Sequence, residues 1–212
     1  MTLSSIAKTL SIPSKRASDP IAELVELLAR LPGVGERTAT RLCFFVLRQQ
    51  PEYAHALSKT LANLHHRVRK CQRCGNYGSE QLCTICMDHR RDSSTVCIVA
   101  TVQDLVAVER TNTFRGVYFV LHQLLAPLDG VHPEHLNIGP LLEQMHTGGI
   151  KEVIVATPLS VEGEATALYL AGLFRPLGIM VSRIASGVPH GGELEFTDHV
   201  TMERAFEGRK AL

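Results

Sequence analysis

Hydrophobic residues recur every three or four positions along the first third of the chain, which is the spacing of an α-helix with one buried face. Asp19-Pro20 provides an N-cap and a proline suited to a first helical turn, so a helix is predicted from there to Leu31. A second helix is predicted after Gly35, ending before Pro51, and a third over residues 52–70. The residues predicted to face inward on the three helices are Ile21, Leu24, Val25 and Leu28; Ala39, Leu42, Cys43, Val46 and Leu47; and Ala54, Leu57, Leu61, Leu64 and Val68.

Beyond residue 92 the pattern changes to short runs rich in β-branched residues, which alternate with helical patterns. The short runs cover residues 96–100, 117–121, 152–156 and 179–184, and the helical patterns cover 102–110, 140–147 and 162–175. Such alternation predicts a parallel sheet with helices on both faces. Residues 122–139 are predicted to form a long loop. Glu193 and Glu195 alternate with Leu194 and Phe196, which predicts an edge strand with one solvated face.

Four cysteines occur as two C-x2-C pairs, Cys71 with Cys74 and Cys83 with Cys86, separated by eight residues. A short hairpin between the pairs would bring them face to face, and four thiolates then form the closed tetrahedral shell of a structural zinc site. Two disulfides and a C-x-x-C redox site are the alternatives. No signal-peptide pattern precedes the cysteines, which favours a reducing compartment, and a redox site does not explain two pairs.

The composition, 45% hydrophobic over 212 residues, allows one sizeable core or two modest ones. No apolar run approaches the ~20 residues that a membrane span needs. Two further cysteines, Cys43 and Cys97, are predicted to be buried as small hydrophobes. Charge is uneven, because residues 1–91 hold 14 Lys/Arg and 7 Asp/Glu whereas residues 92–212 hold 8 and 14. The basic part is predicted to face an anion, and a solvated imbalance without a partner is the alternative.

A glycine-rich turn at Leu31–Arg41 joins the first two predicted helices. Gly33 and Gly35 lack a Cβ atom, so their backbone N–H groups can come close to a ligand at the start of a helix, where an anion is favoured. Arg37 and Arg41 are four residues apart and share one helix face. The combination suits a phosphodiester held through its backbone, independently of base sequence. A simple helical hairpin with two surface arginines is the alternative.

The turn L-P-G-V-G-x-R-x-A-x-R and the C-x2-C-x8-C-x2-C that follows it resemble those of the bacterial recombination mediator RecR family. Further stretches resemble the family in the same order, so that the resemblance runs from about residue 20 to Arg209. These stretches are residues 118–121, 127–131, 161–166 and 183–195.

The resemblance implies a multi-part α+β chain with a Toprim-type α/β domain built on a parallel sheet. Its predicted segments are a loose N-terminal arm at 1–18, a helix-hairpin-helix DNA-binding region at 19–70, a four-cysteine zinc element at 71–92, the Toprim domain at 93–176, and a C-terminal strand and helix used in assembly at 177–212.

The resemblance also implies a function: a ring-like homotetramer that encircles DNA and acts with RecO and RecF to load recombinase on gapped DNA. Its DNA contacts would fall on Arg37 and Arg41 beside Gly33 and Gly35, and its RecO contacts on Glu162 and Glu164. The expected location is cytoplasmic, with the nucleoid and without a membrane partner.

Toprim folds also occur in primases, topoisomerases and nucleases, which hold Mg²⁺ on a Glu after the first strand and an Asp-x-Asp after a later one. This chain has Ala100 at the first place and Ala156-Thr157-Pro158 at the second, although Asp104 remains nearby. A non-enzymatic scaffold is therefore predicted; a metal-dependent nuclease or primase-like enzyme, and a pure protein adaptor, are the alternatives. Gln123, Leu124 and Pro158-Leu159 also depart from the residues usual in the family.

Overall fold

The computed structural model describes residues 19–147 and 149–209, and the chain divides into two compact units after His65. The predicted loose arm at 1–18 lies outside the described residues, and the five-segment division of the chain stays a prediction. None of the described helices is long and apolar enough to cross a membrane.

The first unit is helical. Helix α1 spans Pro20–Ala29, α2 spans Glu36–Arg48, and α3 spans Pro51–Arg67 and runs into the second unit. Asp19 caps α1, because its Oδ1 accepts a hydrogen bond from the N–H of Ile21 at 2.9 Å. The three predicted helices are confirmed, except that α3 ends three residues before the predicted Lys70.

The predicted inner faces of these helices are only partly correct. Ala39 and Cys43 of α2 are fully buried, but Leu47 of α2 is exposed, and so are Leu57 and Leu61 of α3. Leu42, Leu64 and Val68 are exposed as well. Periodicity identifies the apolar face of each helix, yet small side chains fill the interior, and these leucines stay exposed among the described residues.

The second unit contains a four-stranded parallel sheet. Its strands are β3 Asp92–Val99, β4 Gly116–Val120, β5 Glu152–Ala156 and β6 Met180–Arg183, in the order β4-β3-β5-β6. Helices α5 Val102–Arg110, α6 Gly139–His146 and α7 Val161–Phe174 connect them. Before the sheet come a two-stranded ribbon, β1 Arg69–Lys70 and β2 Tyr77–Gly78, and the short helix α4 Thr84–Met87. The predicted parallel α/β sheet is confirmed.

Alternate residues of the buried strands face opposite sides of the sheet, and both sides are covered. Val96 and Ile98 of β3 join a large core with Leu170 and Phe174 of α7. Their neighbours Cys97 and Val99 join a smaller core on the other face, with Leu105 of α5. Each large apolar side chain buried in this way contributes roughly 1.5–3 kcal/mol. These two cores fix the position of β4, to which the zinc element described below is attached.

The prediction of an edge strand around Glu193 and Glu195 is wrong. Leu194–Phe196 forms a 3-10 turn, in which the N–H of Phe196 donates to the Glu193 carbonyl at 3.2 Å, and its apolar side chains are exposed. A segment with alternating apolar residues forms a strand only when it can pair with a neighbouring strand. The described sheet ends at β6, and this segment does not pair with it. The last described element is helix α8, His199–Glu207, capped by Asp198.

Candidate zinc centre and nucleic-acid interface

The glycine turn between α1 and α2 is open to solvent. Gly33 adopts a left-handed conformation with φ of +79°, which favours glycine, and Gly35 is the N-cap residue of α2 without a capping side chain. Arg37 and Arg41 lie on the first turns of α2, and both are exposed. The two cations that sequence reasoning selected are therefore accessible and share one helix face.

Backbone donors accompany these cations. The N–H groups of Thr38 and Ala39 donate hydrogen bonds to the Gly35 carbonyl, at 3.0 and 2.9 Å. Within the described residues, the N–H groups of Gly35, Glu36 and Arg37 donate to no acceptor. Free N–H groups and the positive end of the helix dipole favour an anion at this place. The turn can thus hold a phosphate without contacting a base.

The four cysteines of the two C-x2-C pairs converge. The ribbon β1–β2 closes a tight loop in which Cys71 N–H donates to the Asn76 carbonyl at 2.7 Å, and α4 carries the second pair. Their sulfur atoms all lie within 4.8 Å of one another. The hairpin therefore encloses the first pair, rather than lying between the pairs as predicted.

The close approach of these four thiols suits a bound cation. Cys74 Sγ and Cys83 Sγ are 3.6 Å apart, and the hydrogen bond between them raises the pKa of Cys74 and lowers the pKa of Cys83. The N–H of Asn76 also donates to Cys74 Sγ at 3.4 Å. Four buried or half-buried sulfurs cannot all be ionised so close together without a positive ion. Tetrahedral Zn²⁺ fits this donor set, and four thiolates leave it no open position for a substrate, so the zinc is structural.

The zinc element is attached to the end of β4 by two contacts that local sequence patterns did not predict. The N–H of Val120 donates to the Cys74 carbonyl at 2.8 Å, and His122 Nε2 donates to the Gly75 carbonyl at 2.7 Å. A Cβ atom at Gly75 would lie 3.0 Å from the Val120 carbonyl oxygen, which explains the glycine there. His122 itself adopts the left-handed region with φ of 62°. Only the folded chain brings these residues together.

A second connection leads from the zinc element to the sheet. Arg91 donates to both carboxylate oxygens of Glu109 on α5, at 2.9 and 2.5 Å, and the Tyr118 hydroxyl donates to Glu109 Oε1 at 2.7 Å. Burial raises the pKa of Glu109, but the bonds from Arg91 and Tyr118 outweigh it and hold the pKa below its ordinary value. Glu109 is thus ionised and holds the end of the zinc element against α5 and β4.

The two predicted partner-binding carboxylates have different surroundings. Glu162 is exposed on the first turn of α7, where bonds from its own N–H and from the Ser160 side chain lower its pKa. Glu164 bonds Arg183 of β6, and its Oε1 lies 3.1 Å from Arg204 Nη2 of α8. Glu164 therefore connects the C-terminal helix to the sheet, while Glu162 makes no ion pair with any described residue.

The places where Toprim enzymes hold Mg²⁺ carry no metal-binding carboxylates here. Ala100 directly follows β3, and Thr157 follows β5 with its hydroxyl donating to the Gly163 carbonyl at 2.9 Å. Asp104 caps α5, accepting from the N–H and the hydroxyl of Thr101 at 2.8 Å each. Among the described residues, only the four cysteines form a group of three or more ligand side chains close enough to share an ion.

Comparison with protein families matches four consecutive parts of the chain. The RecR helix-hairpin-helix model matches residues 21–65, the RecR four-cysteine zinc finger domain model 68–88, the Toprim domain model 94–185 and the RecR C-terminal model 187–210.

Individual proteins match over nearly the full chain. A recombination protein RecR of Anaeromyxobacter sp. (strain Fw109-5) is 50% identical over 195 residues, which cover 92% of this chain and 98% of that protein. The recombination protein RecR of Myxococcus xanthus is 47% identical, with 92% and 98% covered, and that of Streptomyces avermitilis is 46% identical, with 91% and 96% covered.

Proposed function

The chain belongs to the RecR family of recombination mediators in DNA repair, and from that premise we propose that it is a non-enzymatic, ring-like scaffold that grips DNA through the α1–α2 turn. The observation that carries the proposal is the exposed pair Arg37 and Arg41 beside the free N–H groups of the turn. Two cations on one face and a helix N-terminus together hold phosphates of any sequence. The site acts where DNA is, so we place the protein with the nucleoid in the cytoplasm.

We further propose that the acidic second part of the chain recruits RecO and RecF to load recombinase on gapped DNA. Glu162 supplies the direct contact, because it is ionised, exposed and without an ion pair among the described residues. Glu164 acts through its bonds to Arg183 and Arg204, which fix the first turn of α7 and the C-terminal helix in place. Both carboxylates then affect partner binding, Glu162 by contact and Glu164 by position.

A ring-like tetramer is the assembly we propose. The single chain leaves apolar side chains exposed on α3 and in its C-terminal segment, including Leu61, Phe196 and Phe206. Burying these faces between copies removes the apolar surface of α3 and of the C-terminal segment from water. A closed ring also multiplies weak DNA contacts, because each bound turn raises the effective concentration of the next.

The residues at the places where Toprim enzymes hold Mg²⁺ disfavour an enzymatic role. Asp104 uses its carboxylate in the α5 cap, and neither Ala100 nor Thr157 can ligate Mg²⁺ as Glu or Asp would. Incubation of the protein with plasmid DNA and Mg²⁺ or Mn²⁺ is expected to leave the DNA intact. Cleavage that disappears in an Asp104→Asn variant contradicts the scaffold.

Replacement of both arginines tests the DNA contact. Arg37→Gln with Arg41→Gln removes two phosphate partners, so DNA affinity falls and the slope of log affinity against log salt decreases by about 2, roughly 1 for each lost contact. Arg48→Gln is the matched control, since Arg48 is an exposed arginine at the far end of the same helix. Fluorescence anisotropy at several salt concentrations measures both quantities. Equal behaviour of the double variant and the control contradicts the proposed contact.

A further inference from the structure

A polar cavity of about 320 Å³ lies at the C-terminal end of β4, between the zinc element and the 122–139 loop. Ligands of parallel α/β folds bind beyond this end of the strands. The polar residues of its wall are Lys70, Gln72, His122, Gln123, His135 and Asn137. No Asp or Glu is among those that line it, Cys71 of the zinc centre borders it, and all of the lining residues belong to the second unit. The cavity therefore offers one fixed cation together with several neutral polar groups.

The hydrogen bonds of the two histidines define what they present. His135 Nδ1 accepts from the N–H of His132 at 3.0 Å, so its proton is on Nε2, which is a donor. His122 uses Nε2–H for the Gly75 carbonyl, which leaves Nδ1 as its second polar atom. Within the described residues, the side chains of Lys70 and Asn137 make no hydrogen bond or ion pair. The polar wall thus has unused donors and acceptors.

The backbone of His122 supports a role for this wall. Its φ of 62° lies in a region that favours glycine, and its own N–H, bonded to the Ala100 carbonyl at 2.9 Å, helps to hold it there. Strained residues of this kind persist where the surroundings fix them, and they concentrate at ligand sites. The result places an imidazole ring at the cavity wall, 5.7 Å from the ring of Tyr77.

We propose that this cavity binds one nucleotide of single-stranded DNA, with its phosphate on Lys70 and its base between the histidine rings and the amide of Asn137. The inference rests on the DNA binding proposed above. Side-chain amides both donate and accept, as the edge of an unpaired base requires, and imidazole rings stack on base faces. A base within a duplex is paired and stacked, so it cannot enter.

A strand fits better than a free nucleotide, although both offer the same phosphate and base. Lys70 follows Arg67 and Arg69 in a short exposed run of cations that leads from the end of α3 through β1 to the zinc element. Residues 66–91 carry six Lys/Arg against two Asp/Glu. Phosphates on either side of an inserted nucleotide therefore meet further positive charge. A lone nucleotide would leave those cations without a partner.

The test compares three ligands: a labelled oligothymidine, a duplex of the same length, and thymidine monophosphate. In a Lys70→Ala, Asn137→Ala double variant of the full chain, oligothymidine affinity is expected to fall about tenfold, in the range for loss of one base contact. Duplex affinity is expected to change no more than in Lys151→Ala, a control that removes one exposed lysine elsewhere in the second unit. Oligonucleotides carrying 5-iododeoxyuridine should crosslink to His122 or His135 on irradiation.

Each outcome separates this inference from the hairpin contact. Loss of oligothymidine affinity alone supports the cavity, whereas the Arg37 and Arg41 variants should weaken oligothymidine and duplex alike. Equal loss of single- and double-stranded binding in the cavity variant, or no loss beyond the Lys151 control, overturns the cavity and leaves the hairpin proposal untouched. Loss of monophosphate binding with unchanged oligothymidine affinity overturns the strand as its occupant.

Discussion

Gly163, on the first turn of α7, sits where no larger residue fits. A Cβ atom at this position would lie 2.0 Å from the Pro158 carbonyl oxygen, so the helix would have to move from the end of β5. Gly163→Ala is expected to lower the free energy of unfolding by about 2 kcal/mol, the usual cost of overpacking, as measured by urea denaturation. Gly172→Ala in the same helix is the control.

At Gly172 a Cβ atom would meet no heavy atom within 4 Å. Alanine there should raise the free energy of unfolding by about 0.5–1 kcal/mol, because it lowers the chain entropy lost on folding. Equal effects of the two substitutions would show that Pro158 yields easily. The sequence alone does not distinguish these two glycines, because both lie within one helical pattern. The atom that excludes a Cβ at Gly163, the Pro158 carbonyl oxygen, lies in the loop before the helix.

At the scale of elements, the zinc centre is expected to hold the ribbon and α4 together and to fix them on β4. Removal of the ion should therefore lower Tm and disorder the region around the Cys74–Val120 hydrogen bond. Calorimetry before and after chelation, with the released zinc quantified, measures the effect. Binding of structural zinc contributes about 10–16 kcal/mol in isolated fingers, an upper bound for a larger domain. An unchanged Tm after complete zinc release contradicts the assignment.

A matched pair of substitutions separates the zinc ligands from other cysteines. Cys86→Ala should abolish stoichiometric zinc binding, whereas Cys43→Ala, which changes a buried cysteine of α2, should leave one zinc per chain. Atomic absorption on the purified proteins measures the stoichiometry. Retention of zinc by the Cys86 variant would remove that residue from the ligand set.

Elements were predictable from sequence where their pattern is self-contained. The α5 pattern, residues 102–110, coincides with the observed helix, because Thr101 and Asp104 form a local capping box. The zinc ligands were predictable because two C-x2-C pairs at this separation are typical of a four-cysteine zinc site. Contacts such as Arg91 with Glu109 depend on the complete fold, as does the position of His122 on Gly75, and no local period encodes them. The prediction of a strand around Leu194 was wrong because the alternating segment pairs with no described strand.

At the scale of the whole molecule, exposed apolar faces predict assembly. Light scattering of the purified protein is expected to give about four times the chain mass of 23.3 kDa. Leu61→Lys, which places a charge on the exposed stripe of α3, should lower that mass, because a buried unpaired charge opposes association. Asn63→Lys, on the same helix, is the control for added charge. A wild-type protein that is monomeric with and without DNA contradicts the ring.

The burial of the two cysteines outside the zinc centre has a practical consequence. Cys43 is enclosed between α1 and α2, and burial raises the pKa of Cys97 in the sheet to about 12. At neutral pH only on the order of one Cys97 in 10⁵ carries the nucleophilic thiolate. The folded, metal-loaded protein is therefore expected to react slowly with iodoacetamide, and loss of the ion should raise the uptake of the reagent by up to four groups per chain.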